Sequence, residues 1–211
     1  GALFLDEAPE FRRDVLEGLR QPLESGEVHI ARARQSLSFP ARFTLIMAMN
    51  PCPCGFFGDD KRECRCSASE VFRYQKKLSG PLLDRIDVQF EVPRVPIHDL
   101  LNKKAGGAEE EKEFREKVAR ARQIQKERFL ARDIPFYTNS EMRSKDVEAL
   151  VHLDTAAEEM LKRMLEKSFF SARGYCRTLK IARTIADLDE ADIVSQDHIG
   201  EAFQYRLKEE K

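Results

Sequence analysis

The sequence predicts an α/β part up to about residue 97 and an all-helical part after about residue 110, on three observations. Residues 2–5 and 43–49 are short apolar runs that each end in polar residues, the pattern of buried parallel strands that hand side chains to a site at their carboxyl ends. A third such run, 88–92, closes at Pro93. From Ile97 onward apolar residues recur at helical spacing alone.

Each element follows from local chemistry. After the first strand, Pro9 stands where helices start. Phe11, Val15, Leu16, Leu19 and Leu23 then recur at helical spacing until Ser25 and Gly26 stop them, so one helix is expected there. Residues 28–30 and 37–39 are apolar stretches flanking Arg32 and Arg34, the pattern of a hairpin. A loop rich in Cys, Pro and Gly spans 51–67, and 69–78 reads as a helix. Gly106 and Gly107 form a candidate hinge before a helix over 109–129, whose Phe114, Val118, Ala121 and Ile124 share one face among mixed charges. Its acidic start, 109–113, suits the positive end of the helix dipole. Thr155 with Glu158 forms a capping-box pattern for a helix through Leu161, Met164 and Leu165. Ser171 caps another carrying Tyr175, Leu179, Ala182 and Ala186, and Ser195 a last one with Ile199, Ala202 and Phe203. Two parts result: 1–97, α/β with the Cys-rich loop, and 98–211, helical.

Composition narrows the function classes. Hydrophobic residues make up 42% and charged residues 35%, too apolar a balance for a disordered chain. No apolar run approaches the roughly 18 residues that would span a bilayer, and residues 1–7 have neither the basic flank nor the cleavage site of a leader, so a cytoplasmic protein without membrane partners is expected. The 36 basic and 37 acidic residues nearly cancel, so any binding to nucleic acid must come from a local patch. The chain has no initiator Met and opens on a buried-strand pattern, which reads as a fragment of a longer protein.

Three groups of residues carry chemistry. Asp6 and Glu7 leave the first strand side by side; such an Asp can hold Mg²⁺ through its water shell and such a Glu can polarise an attacking water. An acidic pair is also a way to leave a sheet for a solvated loop. Asn50, at the end of the second strand, can converge with that pair and orient water or a phosphate, or it can simply start the turn that Asn-Pro favours. Arg85, between Asp84 and Asp87, is either a local salt bridge or a guanidinium held out for a phosphate.

Four of the five cysteines form Cys52-x-Cys54, nine residues, then Cys64-x-Cys66, with Gly55, Gly58 and Asp59 letting the loop fold back. Four thiolates can close a tetrahedral Zn²⁺ site; the alternative is reduced thiols in a loop. Cys176 reads as core packing. The hairpin with His29, Arg32 and Arg34 can touch DNA or can be a solvated edge, and His98, His152 and His198 lack metal-ligand spacing and read as surface or capping residues.

The order of residues 3–7, 10–16, 21–24 (Gln-Pro-Leu-Glu), 48–55 (Ala-Met-Asn-Pro-Cys-Pro-Cys-Gly), 82–87 (Leu-Leu-Asp-Arg-Ile-Asp) and 171–173 (Ser-Ala-Arg) resembles the magnesium-chelatase-like AAA+ ATPases of the ComM/YifB branch. The resemblance implies a partial P-loop core with a parallel sheet, followed by a helical lid. It implies ATP and Mg²⁺ as cofactors, with Asp6 and Glu7 as the Walker B acids and Asn50 as sensor 1. Arg85 would be the arginine finger offered to a neighbouring subunit, and Arg173 sensor 2 in the lid. The implied task is that of a ring motor, a hexamer, remodelling DNA in recombination and natural transformation. Two other readings are a metal-chelatase motor subunit and a non-catalytic, zinc-stabilised interaction module; by resemblance the Cys-rich loop favours the ComM-like branch over the chelatase motor. One motif departs from the family: no G-x-x-x-x-G-K-[ST] phosphate loop occurs in the chain.

Overall fold

The structure is a computed structural model and describes residues 1–32, 35–95, 107–167 and 171–206. The chain divides into two compact units, Gly1–Ile86 and Asp87–Lys211. Residues 97 and 98, where the sequence placed the boundary, and Gly106 of the candidate hinge lie outside the described residues.

The elements of the first unit are, in order, β1 (Ala2–Leu5), a 3-10 turn (Ala8–Glu10), α1 (Arg13–Gly18), α2 (Arg20–Ser25), β2 (Glu27–Arg32), β3 (Gln35–Pro40), β4 (Thr44–Met47), α3 (Ala68–Gln75) and α4 (Gly80–Leu83). β1 and β4 pair in parallel with Leu5 opposite Met47, while β2 and β3 form the expected antiparallel hairpin, Glu27 opposite Pro40. A small core forms where Leu5 and Ala8, at the end of β1, meet Leu16, Leu78 and Leu82.

Three sequence expectations up to residue 92 need correction. The single helix expected after Pro9 is three pieces: Pro9 is buried in the 3-10 turn, and the helix restarts at Arg20 so that Pro22, which has no N–H to donate, falls in a first turn that needs none. Gly26 closes α2 at φ 71°, a left-handed conformation that suits glycine. Of the apolar residues read at helical spacing, Leu16 is buried while Phe11 and Val15 are 40% and 51% exposed. The third strand expected over 88–92 does not form. Those residues join no ladder; Gln89 donates one backbone bond to Tyr205, and Phe90 and Val92 stay exposed. An apolar run becomes a strand only where a neighbouring edge takes its backbone groups.

The second unit contains α5 (Gly107–Leu130), a 3-10 turn (Asn139–Glu141), α6 (Ser144–Leu150), α7 (Thr155–Lys167), α8 (Ala172–Leu188) and α9 (Gln196–Gln204). Its core gathers Phe129, Val147, Leu161, Ala182, Val194 and Ile199. The shared face expected on α5 is buried only toward the C-terminus: Ala121 is 4% exposed, whereas Phe114 and Val118 are 60% and 50% exposed. The α7 cap is Asp154, whose carboxylate accepts the Ala157 N–H at 2.7 Å, one residue before the expected Thr155. Ser171 caps α8 by accepting the Gly174 N–H at 3.0 Å, and His198 takes part in the α9 cap by accepting the Ser195 N–H at 3.0 Å. A polar knot lies inside this unit. Asp187, fully buried, receives Arg183 Nε at 3.1 Å, Arg128 Nη1 at 3.0 Å and Asn139 Nδ2 at 2.7 Å. No helix among the described residues is long and apolar enough to cross a membrane.

Candidate nucleotide site and cysteine cluster

The acidic pair leaves the sheet through a strained residue. Asp6 follows the last residue of β1, and its carboxylate accepts the Glu7 N–H at 2.9 Å. Glu7 sits at φ 50°, ψ 45°, in the left-handed region that costs an L-residue roughly 1–2 kcal/mol. The kink turns the chain so that the Ala8 N–H returns to the Ala48 carbonyl at 2.9 Å, while the Ala48 N–H donates to Leu5 at 2.9 Å. The parallel ladder therefore runs on past both strands, and Asp6, Glu7 and Asn50 leave at the same end of the sheet, all exposed.

Tyr74 links Glu7 to the Asn50 backbone. Its side chain comes from the buried face of α3 and is 5% exposed. Its hydroxyl is raised above the ordinary tyrosine value, first by burial and then by the charge of Glu10; Glu7 adds to the rise, while a hydrogen bond with the Asn50 backbone opposes it. One phenol thus lies within the field of Glu10 and Glu7 and touches the Asn50 backbone. The next residue of α3, Gln75, donates from Nε2 to the Pro51 carbonyl at 3.0 Å. Neither Tyr74 nor Gln75 was identifiable from sequence as part of the site, because both act across more than twenty positions. The Ser67/Glu70 capping box that sets the start of α3 was the available local signal.

Arg85 lies beyond α4. Its ion pair is with Glu24, at the end of α2, rather than with either neighbouring aspartate that the sequence suggested; Asp87 instead meets Arg177 at 3.5 Å. Nη1 of Arg85 also donates to the Pro81 carbonyl at 2.6 Å. Arg173 is exposed in the first turn of α8, in the helical unit. The hairpin places His29 on β2 with Nε2 3.8 Å from Glu27, while Arg34 and the side chain of Arg32 lie outside the described residues, as does His98.

The four cysteines of the 51–67 loop come together. Cys52 Sγ is 3.4 Å from Cys54 and 3.6 Å from Cys64, Cys54 is 3.6 Å from Cys64, and all four sulfurs, Cys66 included, lie within 4.8 Å of one another. Four sulfurs around a tetrahedral Zn²⁺ at about 2.3 Å stand about 3.8 Å apart, so this donor set fits such an ion. The Phe57 N–H donates to Cys52 Sγ at 3.3 Å, and backbone hydrogen bonds at Phe56 and Arg65 pull the Cys54 thiol down to about 6. Cys66 moves the other way, to about 12: the backbone at Cys54 lowers it, but burial and the sulfurs of Cys54 and Cys52 prevail. One thiolate therefore forms readily and suppresses the next, a repulsion that a bound cation removes. Cys176 is half-buried on α8, in the helical unit.

A partial P-loop core followed by a helical domain is the class these units define. The chain belongs to the magnesium-chelatase-like family, which is related to the AAA+ ATPases: the model of magnesium chelatase subunit ChlI matches residues 1–100, and that of the ChlI C-terminal region matches 108–206. Competence protein ComM of Haemophilus influenzae is 46% identical over 206 residues, covering 98% of this chain and 39% of that protein. YifB of Escherichia coli is 38% identical over 208 residues, with 98% and 39% covered. An uncharacterized Mycobacterium bovis protein, Mb2921c, is 37% identical over 206 residues, with 98% and 40% covered. The chain thus spans about two fifths of the length of these curated relatives.

Proposed function

We propose that the chain supplies the later part of an ATPase core and its helical lid to a hexameric, ATP-driven ring that remodels DNA. The observation that carries this reading is the delivery of Asp6, Glu7 and Asn50 to one end of a parallel strand pair. Asp6 holds Mg²⁺ through its water shell, and Glu7 polarises the attacking water. Asn50, a neutral amide backed by Tyr74 and Gln75, orients that water or the γ-phosphate without competing for the cation. Arg85 stabilises charge on the nucleotide of a neighbouring subunit, and Arg173 reads the nucleotide from the lid. Mg²⁺, when bound, neutralises phosphate charge. DNA as substrate follows the sequence resemblance to the ComM/YifB branch.

The cysteine cluster takes one Zn²⁺ as a structural ion. Asn50 is two residues ahead of Cys52, and Cys52 is fully buried, so a closed Cys₄ site would fix the loop that carries Asn50. Without a phosphate loop, these 211 residues alone bind ATP poorly and do not turn it over.

The test uses the full-length protein, meaning a chain of the relatives' length that includes a phosphate loop. Glu7→Gln and Arg85→Ala variants are each inactive; mixed, and with subunit exchange shown by labelled subunits, they regain hydrolysis. Some interfaces then pair an intact Glu7 on the subunit holding nucleotide with an intact Arg85 on its neighbour. Mixtures that exchange yet stay inactive, in a ring where single interfaces are known to turn over, overturn the interface role of Arg85.

A further inference from the structure

Two buried arginines of this chain are housed in opposite ways. Arg183 has every nitrogen bonded: Nε to Asp187, Nη1 to the Asp192 carbonyl at 2.6 Å and Nη2 to the Ala191 carbonyl. Arg85 is nearly as covered, its side chain 9% exposed, yet only Nη1 and Nη2 are bonded, to Pro81 and Glu24, and Nε is buried with no hydrogen-bond partner. A buried donor left unmet penalises the conformation that buries it. Arg183 is a permanent strut, whereas the pose of Arg85 is one the side chain has reason to leave.

The surroundings say what it would leave for. Arg85 lines an open groove of about 470 Å³ together with Glu17, Arg20, Gln21, Glu24 and Ser25. Two arginines and two glutamates cancel there, so the groove at rest offers little net attraction to an anion. The Glu24 carboxylate occupies the nitrogen that a phosphate would need, and a phosphate brought to that nitrogen meets a like charge.

We propose that Glu24 parks Arg85: its carboxylate competes with the γ-phosphate of a neighbouring subunit's nucleotide for the same guanidinium and so restrains hydrolysis until the subunits close. This rests on Arg85 being an interface finger. Glu24 acts through Arg85 and touches no reacting atom, so its effect belongs to the subunit that donates the finger, and a merely structural role would not show that sidedness.

The experiment adds Glu24→Gln, which keeps the shape and removes the charge, to the subunit mixtures of the full-length protein. Placed in the Glu7→Gln subunit, whose Arg85 serves the neighbour, it raises the activity regained with Arg85→Ala partners by about threefold, the scale of a half-exposed ion pair. Placed in the Arg85→Ala subunit, it changes nothing. Glu24→Ala, which removes the carboxylate by a different route, gives the same gain in the same subunit. No gain, a loss, or a gain that follows the Arg85→Ala subunit overturns the parking role. Absence of any recovery from the parent mixture of exchanging subunits, where single interfaces turn over, instead overturns the finger reading and removes the basis for parking.

Discussion

The Ala8 N–H donates to the Ala48 carbonyl at 2.9 Å, one residue past the acidic pair and two before Asn50. That bond lies beyond the last paired residues of β1 and β4, and it holds two loops in register where regular strand geometry has ended. The strained φ of Glu7 is what allows it. Local strain of this kind persists only where surrounding structure imposes it, and here the imposing structure is the Leu5, Ala8, Leu16 and Leu82 core.

The cysteine cluster predicts about one zinc per chain in protein prepared without chelator, because a Cys₄ site couples metal binding to the folding of its loop. Changing Cys64 and Cys66 to Ser should release the metal, read by elemental analysis. Metal-free protein whose five thiols all react freely under native conditions would show the loop to be only a loop.

A pH dependence follows from Glu17. A hydrogen bond from the Ser79 side chain, then the pairing with Arg20 at 2.9 Å, hold its carboxyl below the ordinary 4.5. A depressed carboxyl is protonated earlier in the unfolded chain. Its contribution is therefore complete above the unfolded value and is lost as pH falls through the lower folded value. Denaturant midpoints of the parent chain and Glu17→Gln should differ near neutral pH and converge as pH falls from the ordinary carboxyl value through the lowered folded one. A difference independent of pH would refute this.

Asp187 offers the clearest stability test. Asp187→Ala strips the shared carboxylate from Arg128, Arg183 and Asn139, and leaving buried cations uncompensated costs about 3–5 kcal/mol. Denaturant unfolding followed by helical circular dichroism measures it. A loss under about 1 kcal/mol would mean that the arginines find water or other partners.

Elements whose signals are local were legible in sequence. The apolar run ending in Asp6 and Glu7 is β1, the stretches around Arg32 and Arg34 are the β2–β3 hairpin, and Ser171 caps α8. The spacing of four cysteines marked them as a candidate donor set, and their sulfurs lie together in the structure. What sequence hid depends on distance along the chain. Glu24 meets Arg85 across 61 positions and Gln75 meets Pro51 across 24, and no helical or strand period encodes such pairs. The run 88–92 misled because its composition suits a strand while pairing, which composition does not record, decides whether one forms. Arg173 and the acidic pair sit in separate units, and their joint role stays with the proposed function.

The proposed role of Glu7, activating the water that attacks ATP, is tested by comparing ATP binding with turnover in the full-length Glu7→Gln protein. The variant should bind ATP–Mg²⁺ within about twofold of the parent and turn it over at least about a hundredfold more slowly, the scale of a lost general base. Turnover at the parent rate with binding intact would contradict it.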